Sequence, residues 1–236
     1  MAFWIGTSGY NYPEWRGSFY PEKFPAAKML PYYAERFNSV EINYTFYRMP
    51  TAKQLERWAA ATPETFVFTL KAPRRITHDA KLQHCEDTVA AFCATARTLG
   101  TRLGMLLFQL PPGFRRNVAV LEQFLACLPD GTRAAFEFRH ASWHDEEVYA
   151  ALRRRNMALC TADSERMSTP LEVTADYGYF RLRDEGYQPA DITRWAATID
   201  RLSASWKDVF VYFKHEGQGI GPALATMLRE ALSRTR

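Results

Sequence analysis

The sequence predicts an α/β protein, namely a TIM-like (β/α)8 barrel formed by a single domain over residues 1–236. Eight short β-rich runs alternate with amphipathic helical runs along nearly the whole chain, which is the pattern of parallel strands joined by helical crossovers. The composition is that of an ordinary globular protein, with 47% hydrophobic and 24% charged residues. The chain contains no Gly/Ser-rich linker, charge block or long repeat, and barrels of this length commonly form one domain.

Runs rich in β-branched and aromatic residues mark the eight strands. These strands are expected at Phe3–Ser8, Ser39–Tyr44, Thr65–Lys71, Leu103–Gln109, Arg133–Arg139, Met157–Asp163, Tyr177–Arg183 and Val209–His215. Because helical segments separate them, consecutive strands should run parallel, and eight such strands favour a closed barrel. An open doubly wound sheet is the alternative topology.

Capping residues mark most of the intervening helices. The predicted starts and ends are Thr51 before Ala52–Ala61, Gly100 after Cys85–Leu99, Asp145 before Glu146–Arg155, Pro189 before Ala190–Ala204, and Pro222 at the start of the last helix. The connection between the sixth and seventh strands differs, because residues 164–170 form a short and irregular segment. We therefore expect a degenerate sixth helix.

Several predicted strands become polar on one face towards their carboxyl ends. Residues i and i+2 of a strand point the same way. This alternation groups Glu41 with Asn43, Thr69 with Lys71, Glu137 with Arg139, Thr161 with Asp163, Arg181 with Arg183 and Tyr212 with Lys214, and it adds Gln109. The opposite faces are apolar, as in Phe66 and Phe68, so the polar set is expected to point into the barrel, at the end where barrel enzymes build their sites. In the alternative interpretation, charges such as Glu137 and Arg181 only pair with each other and stabilise the fold.

The basic residues of this region predict a small anionic ligand. They are Arg48, Lys71, Arg139, Arg181, Arg183 and Lys214. Arginine presents a planar pair of donors that matches phosphate and carboxylate. Gly219, in the glycine-rich loop before the last helix, is expected to add backbone N–H groups to this site, although such a loop is often only a turn.

Acid–base chemistry at these strand ends is expected from Glu41 or Glu137, with Asp163 and His78 as further candidates. Carboxylates beside arginines stay ionised, which suits a general base. The other expected substrate contacts come from Asn43, Gln109 and His140 and from the rings of Tyr10, Trp15 and Tyr47. Such rings stack on a sugar or a base, or they pack the rim of the barrel.

Long motifs of the chain resemble the YecE-like family, also called domain of unknown function 72. The segments Gly6–Pro21 and Val40–Pro50 are similar to its two opening signatures, and shorter similarities cover Phe68–Lys71, Ile76–His78, Gln109–Pro112 and Phe136–Trp143. The resemblance covers nearly the whole chain, and it implies a TIM-like barrel and no established activity. Many members look like Tyr-x-Arg-x-His-Gly at the seventh strand, and this chain departs from that pattern at Arg183 and Asp184.

The sequence assigns no cofactor, and a divalent metal is not favoured. Glu137, Asp163, His215 and Glu216 are ligand-type side chains, but the seventh strand presents arginines beside them. The net charge of +4 is mild and does not by itself indicate nucleic acid. No basic region followed by an apolar stretch opens the sequence and no run of about 18 apolar residues occurs, so we expect a cytoplasmic protein that does not enter a membrane.

Three functions are compatible with these features. The first is an enzyme, such as a hydrolase, isomerase or lyase, that acts on a small anionic or phosphorylated substrate. The second is a nucleic-acid-binding or nucleic-acid-processing barrel, and the third is a non-catalytic sensor of a small ligand. The fold class does not separate them, because barrels host unrelated chemistries, and the oligomeric state is left open.

Overall fold

Eight parallel strands surround one axis in the structure of this protein, a computed structural model that describes residues 1–164 and 167–234. The barrel strands are β1 (Ala2–Thr7), β2 (Ser39–Ile42), β3 (Val67–Lys71), β4 (Leu103–Gln109), β5 (Ala134–Glu137), β6 (Ala158–Ser164), β8 (Tyr177–Leu182) and β9 (Asp208–Phe213). They are hydrogen-bonded in the order β1-β9-β8-β6-β5-β4-β3-β2. The predicted TIM-like barrel is confirmed as a nearly closed one, and the open-sheet alternative is wrong.

Helices cover the outside of the barrel. They are α1 (Ala26–Ala34), α2 (Tyr44–Tyr47), α3 (Ala52–Ala60), α4 (Glu86–Ala96), α5 (Val118–Cys127), α6 (Glu146–Arg154), α7 (Pro189–Ser203) and α8 (Ile220–Arg234). Two predicted caps are confirmed, because the side chains of Thr51 and Asp145 accept hydrogen bonds from backbone N–H groups of the first turns of α3 and α6. Tyr44 was expected in a strand but begins α2. The Thr45 hydroxyl stabilises the turn at this point, since its Oγ1 lies 3.1 Å from the Ile42 carbonyl oxygen and 2.6 Å from that of Lys71.

The connection between β6 and β8 contains no helix among its described residues. A two-residue strand, β7 (Met167–Ser168), pairs antiparallel with the end of β6. The Thr169 N–H then donates to the Ala162 carbonyl at 2.9 Å, so the chain folds back along β6. Glu165 and Arg166, which belong to the segment predicted to be irregular, lie outside the described residues.

Two apolar layers fill the molecule. One lies inside the barrel and includes Val67, Met105, Leu107, Ala135, Cys160, Tyr179, Phe210 and Tyr212. The other lies between strands and helices and contains the predicted outward residues Phe66, Phe68, Phe136, Phe138, Phe180, Leu182, Val211 and Phe213. Their separation follows the two-residue alternation of each strand.

The alternation predicted for the sixth strand is wrong. Cys160 and Ala162 of β6 lie beside Tyr179 and Arg181 in the register with β8, and they belong to the layer inside the barrel. Thr161 and Asp163 must then face outwards. The polar residues of this strand were assigned to the interior, but the large side chains of β8 leave room only for small neighbours.

The seam between β1 and β2 closes the barrel with few backbone hydrogen bonds. Ser8 and Glu41 form a single bridge, and the N–H of the next residue, Gly9, donates to the Glu41 carbonyl at 2.8 Å. On its other side β1 pairs with β9 along its whole length. The seam is therefore the weakest ladder in the described part of the barrel.

Side chains replace the missing backbone pairs of this seam. The Asn38 amide donates to the Phe3 carbonyl at 2.7 Å and accepts from the Ile5 N–H at 3.0 Å. The Tyr33 hydroxyl, from α1, accepts from the Thr7 N–H at 2.7 Å and donates to the Ser39 carbonyl at 3.1 Å. These two side chains satisfy buried backbone groups that would otherwise be unpaired.

Removal of the Tyr33 hydroxyl should loosen the seam. We expect Tyr33→Phe to lower the free energy of unfolding by about 1–3 kcal/mol, because it leaves a buried N–H and a buried C=O unsatisfied. The control is Tyr32→Phe on the same helix, for which a change within about 0.5 kcal/mol is expected. Urea unfolding measures both variants, and equal stabilities would contradict this account of the seam.

Candidate functional site

Arg181 lies buried across the carboxyl-terminal mouth of the barrel. Its Nε and Nη2 atoms donate to Glu41 Oε1 at 3.2 and 2.8 Å, and its Nη1 donates to Glu137 Oε2. The three side chains are at most 1% exposed. The three side chains come from β8, β2 and β5, so this ion network spans the barrel. It includes the Glu137–Arg181 pair expected by the alternative in which these charges stabilise the fold.

Glu41 uses both of its carboxylate oxygens within the protein. Ser8 Oγ and Arg181 donate to Oε1, and the Tyr179 hydroxyl donates to Oε2. Burial alone would raise the pKa of Glu41, but the Arg181 charge and the two hydroxyl donors outweigh it and lower the pKa. The geometry therefore makes Glu41 an anchor for Arg181, although the sequence suggested it as a base.

Glu137 differs, because one of its buried oxygens has no hydrogen bond. Arg139 Nε forms an ion pair with Oε1 at 3.2 Å but is not oriented to donate a hydrogen bond, and Arg183 Nη2 lies 3.7 Å away, too far for one. Burial would raise the pKa of Glu137, and Arg181, Arg183 and Arg139 together lower it to about 2. Glu137 is thus ionised at neutral pH, and its Oε1 is ion-paired with two arginines but accepts no hydrogen bond.

Two further polar atoms of the mouth lack partners in the described part of the chain. Asn43 Oδ1 and Arg183 Nε are buried and make no hydrogen bond. The other side of the Asn43 amide is engaged, since its Nδ2 donates to Ser8 Oγ at 2.7 Å. Buried polar atoms are nearly always paired, so two acceptors and one donor without hydrogen bonds at the strand ends favour this region as the candidate site.

Lys71 is half-buried in the same mouth. Its Nζ lies 4.1 Å from the centroid of the Phe46 ring. Burial and the nearby charge of Arg181 lower the pKa of Lys71 to about 7, against the opposing effect of Glu137 and Glu41. The sequence suggested only an anion-binding role for Lys71, and it gave no signal for this pKa, which depends on neighbours from other strands.

Basic side chains form the outer part of the mouth. The side chain of Arg139 is 31% exposed and that of Lys214 is 38% exposed, whereas Arg183 is more buried. Burial and the charge of Arg181 also lower the pKa of Lys214. Together with Lys71 and Arg181, these cations outnumber the carboxylates in contact with them.

His78 and Gln109 lie beside this group. Burial, followed by the charges of Lys71, Arg74 and Arg139, lowers the pKa of His78, so its imidazole is mainly neutral at pH 7. Gln109 is buried and is the register neighbour of Glu137 between β4 and β5. Both residues therefore lie at the mouth of the barrel.

The structure separates two predicted site residues from the mouth. Asp163 accepts from the Tyr187 hydroxyl at 2.7 Å and lines a cavity of about 430 Å³ beside α7, outside the barrel, because the alternation of β6 is opposite to the one expected. Trp15 is fully buried and packs on Tyr12 in the first loop, so it cannot stack on a ligand. Tyr47, the last residue of α2, is 76% exposed but stays near the mouth, since its ring lies 5.1 Å from that of Phe46, which contacts Lys71.

Two of the other predicted residues have local structural roles. His140 Nδ1 accepts from the Ser142 N–H at 3.1 Å and so caps the short helix that follows β5. Gly219 has a φ of 73°, and a Cβ there would lie 2.5 Å from Ser18 Oγ, so glycine is needed for that turn and close contact. Arg48 is exposed on the segment after α2.

Neither a metal cluster nor a membrane span is found in the described residues. Within residues 1–164 and 167–234, the His, Cys, Asp and Glu side chains form no group of three or more that could hold a metal ion. Over the same ranges, each helix is too short or too polar to cross a lipid bilayer.

Loss of Arg181 should strongly destabilise the barrel. We expect Arg181→Met to lower the free energy of unfolding by about 3–5 kcal/mol, since it leaves the Glu41 and Glu137 carboxylates buried without their shared cation. Arg139→Met, which removes a partly exposed cation from the same mouth, should cost about 1 kcal/mol or less. Denaturant unfolding of both variants tests this difference, and similar losses would show that the buried network has no special role.

The low pKa of Lys71 should appear as a pH dependence of stability. Below pH 7 the amine is charged in both folded and unfolded chains, and between about pH 7 and its ordinary value of 10.5 only the unfolded chain keeps the proton. The stability of the natural protein should therefore rise relative to Lys71→Met as the pH increases from 7 to 10. Unfolding of both proteins at pH 6, 7, 8 and 9.5 measures this, and a constant difference would contradict the shift.

Known proteins match the chain along most of its length. The family model described as "Protein of unknown function DUF72" matches residues 4–236. The UPF0759 protein YecE of Escherichia coli (strain K12) is 34% identical over 138 residues, which cover 58% of this chain and about half (48%) of that protein. The UPF0759 protein YunF of Bacillus subtilis (strain 168) is 27% identical over 256 aligned residues, with 92% of this chain and 89% of that protein covered.

Solved structures share the fold. A DUF72 family protein from Thermotoga maritima MSB8 superposes with a TM-score of 0.88 at 27% identity, covering 99% of this chain and all of that chain. A DUF72 family protein from Enterococcus faecalis V583 gives a TM-score of 0.79 at 20% identity over 98% of both chains, and it supports the fold alone. With the family match over residues 4–236, these likenesses confirm the resemblance found in the motifs, and the chain belongs to the DUF72 family.

Proposed function

We propose that this protein is an enzyme that binds a small anionic substrate at the mouth of the barrel. The observation that carries the proposal is the set of buried atoms without a hydrogen bond at the strand ends, Glu137 Oε1, Asn43 Oδ1 and Arg183 Nε. An anionic oxygen of the substrate would accept from Arg183, while a hydroxyl or amino group would donate to Glu137 or Asn43. The surplus of cations around these atoms favours a phosphate or carboxylate group.

The chemistry supported by these groups is a proton transfer beside a developing negative charge. Lys71, with a pKa of about 7, can give or take a proton at neutral pH. Glu137, with a pKa of about 2, is a weak base and instead orients a donor of the substrate. Arg139, Arg183 and Lys214 would stabilise an oxyanion in the transition state. This arrangement suits hydrolysis, isomerisation or lyase chemistry, with Lys71 as the proton-transfer group.

The nucleic-acid alternative has less support. Many arginines on the outer helices are paired with carboxylates, as Arg153 is with Glu146 and Glu172, and Arg154 with Glu122. Such pairing reduces the free positive charge that a phosphate backbone would contact. A non-catalytic sensor would use the same mouth, so only a test of turnover separates it from an enzyme.

Anion binding should depend on Arg183. In thermal-shift titrations with inorganic phosphate, glucose 6-phosphate, nucleoside monophosphates and short oligonucleotides, we expect a small anion to stabilise the protein by about 2.7 kcal/mol at about 100 times its dissociation constant. Arg183→Ala should weaken that binding roughly ten-fold, the typical loss for one charge-assisted hydrogen bond. Arg154→Ala, on the outer surface, is the matched control. If no small anion shifts the natural protein, the proposal fails, and a shift by oligonucleotides alone would support the nucleic-acid alternative.

Turnover of the anion that binds is then followed by 31P NMR or by chromatography. Lys71→Met should lose turnover by at least about a hundred-fold, the lower end of the usual contribution of general acid–base catalysis, while its affinity changes much less. Tight binding without any conversion by the natural protein would support the sensor and overturn the enzyme.

A further inference from the structure

A second cavity, of about 230 Å³, lies next to the mouth, between the first loop and α2 and α3. Four aromatic side chains line it, and three amide side chains add polar groups to its wall. These are Tyr10, Tyr12, Tyr44 and Trp58, with Asn11, Asn43 and Gln54. The cavity thus combines flat apolar faces with a few polar atoms, which is the usual make-up of a small-molecule site.

Asn43 connects this cavity with the mouth. It lines the cavity, and its Nδ2 donates to Ser8 Oγ at 2.7 Å. Ser8 Oγ lies 3.3 Å from Arg181 Nη2 and donates to Glu41 Oε1. The cavity is therefore connected to the buried arginine through two hydrogen bonds. Asn43 Oδ1 accepts no hydrogen bond in the described part of the chain, so an N–H or O–H group of a ligand would supply the missing donor.

Packing behind the cavity holds its aromatic walls in place. The Trp58 ring stacks on Phe68, with centroids 6.4 Å apart, and the Tyr12 ring lies 4.9 Å from that of Trp15. The Tyr12 hydroxyl also donates to the Ser8 carbonyl at 2.8 Å. Walls that are already ordered cost little entropy when a ligand binds. Tyr44, which is 45% exposed, forms the outer side.

We propose that this cavity is a subsite for one planar ring that carries an N–H or O–H group at its edge. This inference rests on the proposed function, because the ring would belong to the same ligand whose anionic group binds at the mouth. Aromatic walls stack on planar rings, and the edge group would donate to Asn43 Oδ1. The volume is below the roughly 300–1,000 Å³ of pockets that enclose a whole drug-sized ligand, so it suits a single ring. A nucleoside monophosphate has both parts.

Equilibrium titration tests whether the ring adds affinity. The natural protein is titrated with inorganic phosphate, glucose 6-phosphate and the monophosphates AMP, GMP, CMP and UMP at one ionic strength. At least one nucleotide should bind five-fold or more tightly than both phosphate and the sugar phosphate, because stacking on aromatic rings contributes at least about that factor. If no nucleotide exceeds inorganic phosphate or glucose 6-phosphate, the planar-ring subsite is overturned while anion binding at the mouth stands.

Variants of Tyr44 locate the effect, since this exposed wall residue can change without disturbing the core. Tyr44→Ala should weaken nucleotide binding about five-fold or more and leave the affinity for inorganic phosphate unchanged, whereas Tyr44→Phe, which keeps the ring, should bind like the natural protein. Arg183→Ala should weaken both kinds of ligand. Equal nucleotide affinities of Tyr44→Ala and Tyr44→Phe would overturn the subsite, and a protein that binds no anion at all would overturn the subsite and the proposed function together.

Discussion

The guanidinium of Arg181 is held inside the barrel with almost no contact to water, and the rest of the mouth follows from this burial. One cation is shared by two buried carboxylates, Glu41 and Glu137, so the group has a net negative charge in a medium that solvates charge poorly. Arg139 and Arg183 approach Glu137 from the rim and compensate it. Arg183 Nε is left buried without a hydrogen bond, and the partly exposed side chains of Arg139 and Lys214 form a basic surface at the outer part of the mouth.

The two glutamates have different roles because they meet different donors. Hydroxyl groups of Ser8 and Tyr179 complete the coordination of Glu41, whereas the second oxygen of Glu137 faces arginines but accepts no hydrogen bond. The same arginine that lowers the carboxylate pKa values also lowers the pKa of Lys71. Burial is the largest cause of the low pKa of Lys71, and Arg181 adds to it. The same cation, with Arg183 and Arg139, keeps Glu137 ionised, and such a separation of acid and base properties is typical of catalytic sites.

The barrel and most of the inward polar set could be predicted from the sequence, because the alternation of each strand is a local property. The prediction from alternation was wrong for Asp163, because β6 presents Cys160 and Ala162 to the inside of the barrel. Which face of β6 points inwards depends on the size of the side chains on β8, which the local pattern does not contain. The burial of Trp15, the pKa of Lys71 and the cavity at Asn43 could not be predicted, because each arises from contacts between separate loops or strands. The motifs signalled that the first two loops were special, but not which rings face a ligand.

The seam between β1 and β2 has a consequence for how the chain folds during synthesis. β1 has a complete ladder only with β9, which is about 200 residues further along the chain, whereas its contacts with the early α1–β2 region rest mainly on Asn38 and Tyr33. At ordinary translation rates of about 5–20 residues per second, the first strand waits roughly 10–40 s for its main partner. During that time the backbone edge of β1 that pairs with β9 has no partner, so closure of the barrel is a late step in the folding of this chain.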